Sequence, residues 1–292
     1  MRTIRVGSRE SVLAVVQARL VMDAIRSAHP DIELELVTMK TTGDKILDRT
    51  LDKIGGKGLF VKELDAALME GRVDITVHSC KDLPMEIPEG LPLAAFTRRE
   101  DPTDVLVLPA GQATLDLSRP IGCSSARRRL QLGAIFPGAA VEPVRGNVQT
   151  RLRKLDEGQF SALVLAGAGL RRLGLEGRIA RHFSVEEMLP AAGQGILAVQ
   201  GRAGEDLSFL DCVNDPEGAD CARAERAFVR ELDGGCSSPV AAHAIAVEDT
   251  ITIEGLYVDD SDRLYRGSRT GPRDQGERLA AALARDLKEG RI

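Results

Sequence analysis

Lys81 and Asp82 place a cation beside a carboxylate where the sequence predicts the end of a strand. The β-branched residues 75–77 just before them favour a short buried strand, and Pro84 ends regular structure just after them. Ligands of open α/β sheets bind at the carboxyl ends of the strands. A carboxylate at that edge can accept N–H hydrogen bonds, transfer a proton and stabilise a nearby cation. Taken alone, the stretch fits a solvated surface turn better, so its role depends on what the rest of the chain provides.

Basic residues concentrate in one part of the chain. Residues 119–181 hold twelve Lys and Arg against four Asp and Glu, although the whole chain has a net charge of −5. Three clusters, at 122–129, 144–151 and 163–172, each predict a strand, a glycine-containing turn and the start of a helix. Helix N-termini bind anions, and Arg pairs with carboxylate or phosphate in a planar, bidentate manner. Many separated arginines without a P-loop favour a ligand with several carboxylates over a phosphate.

Cys236 is the cysteine whose surroundings suit chemistry. Gly234 and Gly235 leave space for a bulky group beside it and allow left-handed backbone angles. An exposed thiol near positive charge is a nucleophile, but the same segment also fits a structural turn, and both interpretations stay open here. No two of the five cysteines form a Cys-x-x-Cys pair, which argues against a structural zinc site. We therefore predict no metal and free thiols.

The elements that must position these groups alternate between strand and helix. Residues 3–6 predict a strand, and residues 7–11 predict a loop that ends at a helix N-cap, Ser11. Apolar residues at helical spacing follow, and residues 32–36 alternate as a strand does. This β-α-β order predicts a parallel sheet. A further helix is predicted at residues 59–70.

A charged connector near residue 98 and a small-residue connector near residue 191 predict a discontinuous first domain with a second domain inserted into it. That is the plan of bilobal, hinged ligand-binding proteins. Three strands and a final helix then predict a small α+β domain with a three-stranded antiparallel sheet. The predicted domains are domain 1 with Asp82 (1–97 plus 194–212), the Arg-rich domain 2 (100–190) and domain 3 with Cys236 (215–292).

Composition excludes several classes of function. The apolar fraction of 43% is ordinary for a globular protein, and the negative net charge gives no overall attraction to nucleic acid or acidic membranes. Trp is absent and there are two Tyr, which argues against base stacking. The chain has no apolar run that could span a bilayer and no signal-peptide core at its N-terminus. We predict a cytoplasmic protein.

Taken together, these motifs resemble those of one family, the porphobilinogen deaminases, also called hydroxymethylbilane synthases. The resemblance runs from Thr3 to about Glu289 and is carried by six motifs, at 55–60, 77–84, 122–128, 145–148, 189–195 and 234–236. It implies an α/β fold of three domains, the first two like a hinged type II periplasmic binding protein. It also implies a transferase of porphyrin and haem biosynthesis, which joins four porphobilinogen molecules head to tail with release of ammonia. Hydrolysis then frees the linear tetrapyrrole hydroxymethylbilane.

The resemblance further implies roles for individual residues of this chain. Asp82 matches the catalytic aspartate, and Cys236 matches the cysteine that carries a dipyrromethane cofactor as a thioether. The other predicted cofactor ligands are Ser79, Lys81, Asp82, Ser125, Arg127, Arg128, Arg145 and Gly146. The predicted substrate ligands are Arg9, Ser11, Gln17, Arg145, Arg151 and Arg172. The predicted active-site loop carries Lys53, Lys57 and Phe60. One departure is Cys123, which stands where the family often has Thr and leaves the hydroxyl hydrogen bond at that position in question.

Two other functions fit part of the sequence. A non-enzymatic bilobal anion-binding or sensor protein would share the hinged domains and the arginines, but it would have no reason for a third domain that presents Cys236. A phosphate-handling transferase is disfavoured because the P-loop spacing is missing. The predicted partners are porphobilinogen and the growing oligopyrrole chain, without nucleic acid or membrane. The protein is further predicted to be a monomer that hands its product to the next enzyme of the pathway.

Overall fold

The computed structural model describes residues 2–45, 58, 60–234, 238–259, 261 and 263–291. The predicted site residues Lys53, Lys57 and Cys236 lie outside these ranges. The helices are α1 (Val12–Ala28), α2 (Thr42–Lys45), α3 (Lys62–Met69), α4 (Ala126–Ile135), α5 (Val148–Asp156), α6 (Gly167–Arg172), α7 (Pro216–Glu231) and α8 (Gly276–Lys288).

The first five-stranded sheet combines strands from both sides of the Arg-rich region. Its strands are β1 (Arg2–Arg9), β2 (Ile32–Met39), β3 (Ile75–Ser79), β4 (Leu93–Phe96) and β10 (Leu197–Gly201). They lie in the order β2-β1-β3-β10-β4. β1 pairs in parallel with β2 and β3, as predicted, but β10 runs antiparallel to β3 and β4, so the sheet is mixed. The chain leaves this sheet at the carboxyl end of β4 and returns to it at the same end of the strands. For this reason β10 runs opposite to β3 and β4.

The local structure of this unit follows its sequence signals, with two corrections. Ser11 caps α1, since its hydroxyl accepts a hydrogen bond from the backbone N–H of Ala14. The loop predicted at residues 7–11 is wrong in its first part, because β1 continues through Arg9 and pairs residue by residue with β2. The helix predicted from residue 59 begins only at Lys62.

The second five-stranded sheet holds the Arg-rich region. Its strands are β5 (Asp104–Val107), β6 (Ile121–Gly122), β7 (Val141–Glu142), β8 (Ala162–Ala166) and β9 (Ile179–His182), in the order β7-β6-β8-β5-β9. β6 is parallel to β7 and β8, whereas β5 is antiparallel to β8 and β9. Ser125 caps α4 and Asn147 caps α5, so the helix starts expected in two of the Arg clusters are confirmed.

The C-terminal unit is an antiparallel sheet covered by two helices. Its strands are β11 (Ala241–Val247), β12 (Thr250–Val258) and β13 (Leu264–Pro272), and they pair in chain order. Asp215 caps α7, with Pro216 in the first turn, as predicted. Phe228 of α7 and Leu283 of α8 are fully buried between the helices and the sheet. The predicted fold class is confirmed, while the exact domain boundaries stay a prediction.

Helices long and apolar enough to cross a membrane are not found among the described residues.

Candidate active site

A cleft lies where the three units meet. It encloses about 1040 Å³ of space free of protein atoms, part of it open solvent. The charged side chains that line it are Lys81, Asp82, Arg127, Arg128 and Arg151. The C-terminal unit contributes Val229, Ser238 and Val240. The cleft therefore brings the predicted catalytic carboxylate together with four predicted cationic ligands.

A second cavity adjoins this cleft. It encloses about 590 Å³ and shares Lys81, Arg128 and Arg151 with the cleft. Gln17, Ser79 and Arg172 complete its polar lining. Gln17 Nε2 donates to Ser79 Oγ at 2.9 Å, which fixes the buried amide against the end of β3. Three cations thus face two neighbouring spaces, and a ligand with several carboxylates could extend from one space into the other.

The turn that follows β3 places Lys81 and Asp82 in the cleft. Residues Cys80–Asp82 form a 3-10 turn, and Cys80 N–H donates to Ile196 O at 3.0 Å. Cys80 is fully buried against Gly193, where an added Cβ would lie 2.6 Å from the Cys80 Sγ atom. Because Gly193 also has a φ of 73°, a larger residue there would strain the backbone and displace the turn. The packing of Cys80 on Gly193 therefore holds the turn that carries Asp82 in place.

The ammonium group of Lys81 loses its proton at a lower pH than an ordinary lysine does. Burial and, after it, the nearby Arg128 guanidinium lower the pKa of Lys81 to about 8, against the opposing effect of Asp82 and Asp104. The same causes act on Arg151, where burial and then Arg128 lower the pKa to about 10. The site concentrates positive charge, as expected of a site for an anionic ligand.

Asp104, at the start of β5, pairs with two of the predicted arginines. Arg127 Nη1 lies 2.7 Å from Asp104 Oδ2, and Arg128 Nε donates to Asp104 Oδ1 at 2.9 Å. Burial by itself would raise the pKa of the Asp104 carboxyl, but the two guanidinium groups outweigh burial and hold the pKa well below its usual range. Arg127 and Arg128 are thus buried and fixed in direction, rather than being part of a solvated helix face.

Two of the predicted substrate ligands, Arg9 and Ser11, contact other parts of the protein. Arg9 pairs with Asp44 and lies over the Phe60 ring at 4.3 Å, and Ser11 uses its hydroxyl as a helix cap. Both stand outside the described lining of the two cavities.

The backbone oxygen of Gly146 accepts from Arg151 Nε at 2.8 Å, in a turn where Gly146 has a φ of 112°. Arg172 donates to Gly195 O at 2.6 Å, and Cys123 is buried with its Sγ atom 3.8 Å from Ser125 O.

Three residues that support the site were missed by sequence reasoning. Besides Asp104, these are Gln194, which lines the cleft and donates to Pro102 O in the first connector, and Glu225 of α7. Glu225 is fully buried and joins the connectors, since it accepts from Arg99 Nη2 at 2.6 Å and from Gly193 N–H at 2.6 Å. The sequence offered two signals for these residues. Glu225 is a lone carboxylate on the apolar face of a helix, and Gln194 stands between two glycines.

The fold and the cleft define a bilobal α/β protein with a third unit, built to hold a polyanionic ligand beside one carboxylate. Residues 4–209 match the family model described as "Porphobilinogen deaminase, dipyromethane cofactor binding domain". Residues 219–289 match the model described as "Porphobilinogen deaminase, C-terminal domain". The chain belongs to the porphobilinogen deaminase family. The predicted family, its enzyme class as a transferase and the predicted dipyrromethane cofactor are therefore confirmed.

Porphobilinogen deaminases of other organisms are similar to this chain over almost all of its residues. The porphobilinogen deaminase of Acetivibrio thermocellus is 58% identical over 287 residues, covering 98% of each chain. That of Alkaliphilus oremlandii is 60% identical over 285 residues, covering 98% of this chain and 96% of its own. Among solved structures, the periplasmic aliphatic sulphonate binding protein SsuA from Escherichia coli is 11% identical with a TM-score of 0.42, over 80% of this chain and 71% of its own. At that level of likeness nothing follows about ligands.

The described residues of the cleft fit a dipyrromethane that carries carboxylate side chains. Arg127 is 3% exposed, and its Nε atom has no hydrogen-bond partner among the described residues, which leaves a donor for a ligand oxygen. Lys81, Arg128 and Arg151 supply further donors for carboxylates, and Asp82 supplies an acceptor for pyrrole N–H groups.

Proposed function

We propose that the protein is a hydroxymethylbilane synthase that carries out the whole reaction in this cleft. It joins four porphobilinogen molecules head to tail, releases ammonia at each addition and hydrolyses the product to hydroxymethylbilane. One observation carries the proposal: Asp82 stands in a single cleft with Lys81 and three arginines, in a chain whose residues 4–209 and 219–289 match the family.

The positive charge of the cleft matches the chemistry of the substrate. Each porphobilinogen carries an acetate and a propionate, so every addition brings two more negative charges. Arg128 and Arg151 face both cavities, and Arg172 faces the smaller one. We assign carboxylate binding to these arginines because guanidinium groups pair with carboxylates in a fixed, bidentate geometry. Arg145, Gly146, Ser125 and Ser79 are proposed to complete the contacts to the cofactor.

Asp82 is assigned the role of catalytic residue. Loss of ammonia from porphobilinogen leaves a cationic pyrrole, and a negative carboxylate beside it lowers the energy of that charge. The same carboxylate can accept pyrrole N–H hydrogen bonds and assist proton transfer to the leaving amine. The turn at Cys80–Asp82 is fixed by packing on Gly193, so the carboxylate is held in place before the substrate binds.

Cys236 is proposed to hold the dipyrromethane as a thioether. When bound, the cofactor supplies the pyrrole carbon to which the first substrate unit is joined. Ser238, two residues further along the chain, lines the cleft with Val240. An attachment point at Cys236 would therefore be close in sequence to residues that line the cleft.

The other predicted contacts remain part of the proposal. Arg9, Ser11 and Gln17 are proposed to contact the substrate or the growing chain. The loop residues Lys53, Lys57 and Phe60 are proposed to close over it. We also propose that the protein acts as a cytoplasmic monomer and hands hydroxymethylbilane to the next enzyme of the pathway.

Replacing Arg127 should affect stability as well as function. Arg127→Leu removes a buried partner of Asp104 and a hydrogen bond to Leu189 O at 2.6 Å. We expect the free energy of unfolding to fall by about 1.5–3 kcal/mol, the range for hydrogen bonds to charged groups. The half-buried Arg145 is the comparison, because Arg145→Leu should impair elongation with a smaller loss of stability. Urea unfolding and substrate titration measure both effects, and normal elongation with unchanged apparent affinity in both variants would remove these arginines from the site.

The proposed function is tested by incubating the purified protein with porphobilinogen. We expect four substrate molecules to be consumed and four ammonia molecules released for each linear tetrapyrrole formed. Binding of porphobilinogen without release of ammonia would favour the anion-binding or sensor protein instead.

A further inference from the structure

Gln194 lies at the point where the Asp82 turn, the Arg pair and the first connector meet. The side chain is fully buried and touches all three. Gln194 Nε2 donates to Pro102 O at 2.6 Å and to Asp104 Oδ1 at 2.9 Å. Gln194 Oε1 accepts from Lys81 Nζ at 3.2 Å and from Arg128 Nη2 at 3.4 Å. One amide therefore joins the first unit, the second unit and the connector between them.

The orientation of this amide is determined by its neighbours. Its NH2 group faces a carbonyl and a carboxylate, and its oxygen faces an ammonium and a guanidinium. The reversed orientation would place the oxygen against two acceptors and the NH2 group against two cations, so every one of these hydrogen bonds would be lost. The oxygen of Gln194 thus has a fixed direction, toward the two cations of the cleft.

We propose that Gln194 is a positioning residue for the proposed reaction, which holds Lys81 Nζ and the Arg128 guanidinium at a fixed separation and couples them to the connector at Pro102. Gln194 acts through these cations, which bind the substrate and cofactor carboxylates. The proposal rests on the proposed function for the identity of those carboxylates. The hydrogen bonds themselves are contacts within the protein.

The charge of Lys81 should depend on this contact. Among the described residues, Arg128 and Arg127 disfavour the protonated form of Lys81, and Asp82 and Asp104 favour it. An amide oxygen that accepts from Nζ stabilises the ammonium over the neutral amine. Loss of that acceptor should therefore lower the pKa of Lys81 from its value of about 8. Lys81 would then lose its charge, and its hold on a carboxylate, at a lower pH.

The direct test measures the protonation of Lys81 by amine labelling. Trace acetic anhydride reacts only with the neutral amine, so the labelling rate of the Lys81 peptide, followed by mass spectrometry against pH, gives a midpoint. We expect Gln194→Met, which keeps length and removes both polar atoms, to shift that midpoint downward by about one pH unit. The matched control is Gln200→Met, which removes another buried amide, one that donates to Leu91 O at 2.9 Å. Its midpoint should equal that of the wild type even if stability falls.

A second readout follows the pH dependence of kcat/KM. The alkaline limb should move to lower pH in Gln194→Met and be absent in Lys81→Arg, whose guanidinium stays charged. If Gln194→Met does not fold, Gln194→Asn replaces it, because the shorter amide cannot reach Lys81. An unchanged labelling midpoint in a folded Gln194 variant overturns the inference. A wild type that does not turn over porphobilinogen overturns the proposed function, while the labelling result still decides the role of Gln194.

Discussion

Asp82→Asn is expected to lower turnover of porphobilinogen by at least ~10²-fold, the scale of lost acid–base or electrostatic catalysis. Asn has nearly the shape of Asp, so the packing of the turn on Gly193 should persist and the protein should fold. What disappears is the negative charge that opposes the cationic pyrrole and the group that can take part in proton transfer. Steady-state turnover and cofactor content of the same preparation test this together.

The matched control for this variant is Asp31→Asn. Asp31 is exposed between α1 and β2, so the same chemical change there removes a charge without touching the cleft. Its turnover should equal that of the wild type. Turnover near the wild-type value in Asp82→Asn would eliminate Asp82 as the catalytic residue.

Cys236→Ser is expected to abolish activity completely, because the protein could then no longer attach its cofactor. A thiolate can form a thioether with the electrophilic pyrrole carbon that the enzyme generates from porphobilinogen, and a serine hydroxyl is a far weaker nucleophile. The preparation should also fail to give the colour that a dipyrromethane produces with an acidic aldehyde reagent. Its far-ultraviolet spectrum should stay that of a folded protein.

Cys212→Ser is the comparison that separates Cys236 from the other cysteines. Cys212 is exposed, with its Sγ atom 3.3 Å from Phe209 O, and it stands outside the described lining of the cleft. Cys80, Cys123 and Cys221 are buried, which makes them poor nucleophiles. Cys212→Ser should keep both the colour reaction and the activity. Loss of both in Cys212→Ser, with retention in Cys236→Ser, would reverse the assignment.

Local signals in the sequence predicted the pieces of the site that depend on neighbouring residues. The strand before Lys81 and Asp82, the cap at Ser11 and the cap at Asp215 all follow from a few adjacent residues. The three Arg clusters were also visible as strand, turn and helix. These features are governed by backbone preferences and capping, which act within one or two turns of chain.

The partners of the arginines could not be predicted in the same way. Asp104 pairs with Arg127 across 23 residues, and Gln194 reaches Lys81 across 113 residues. The first contact forms only when the second unit folds, and the second forms only when the connector residue Gln194 packs beside the turn after β3. A single sequence carries no record of either contact. For the same reason the reversed direction of β10 was missed, since it depends on where the chain re-enters the first sheet.

The most direct test of the account is the mass of the intact wild-type protein under denaturing conditions. Protein purified from cells that make porphobilinogen should exceed its sequence mass by two linked pyrrole units. Peptide mapping should place that addition on the peptide that contains Cys236. A fully active protein with the unmodified sequence mass, or an addition on any other cysteine, would contradict the account.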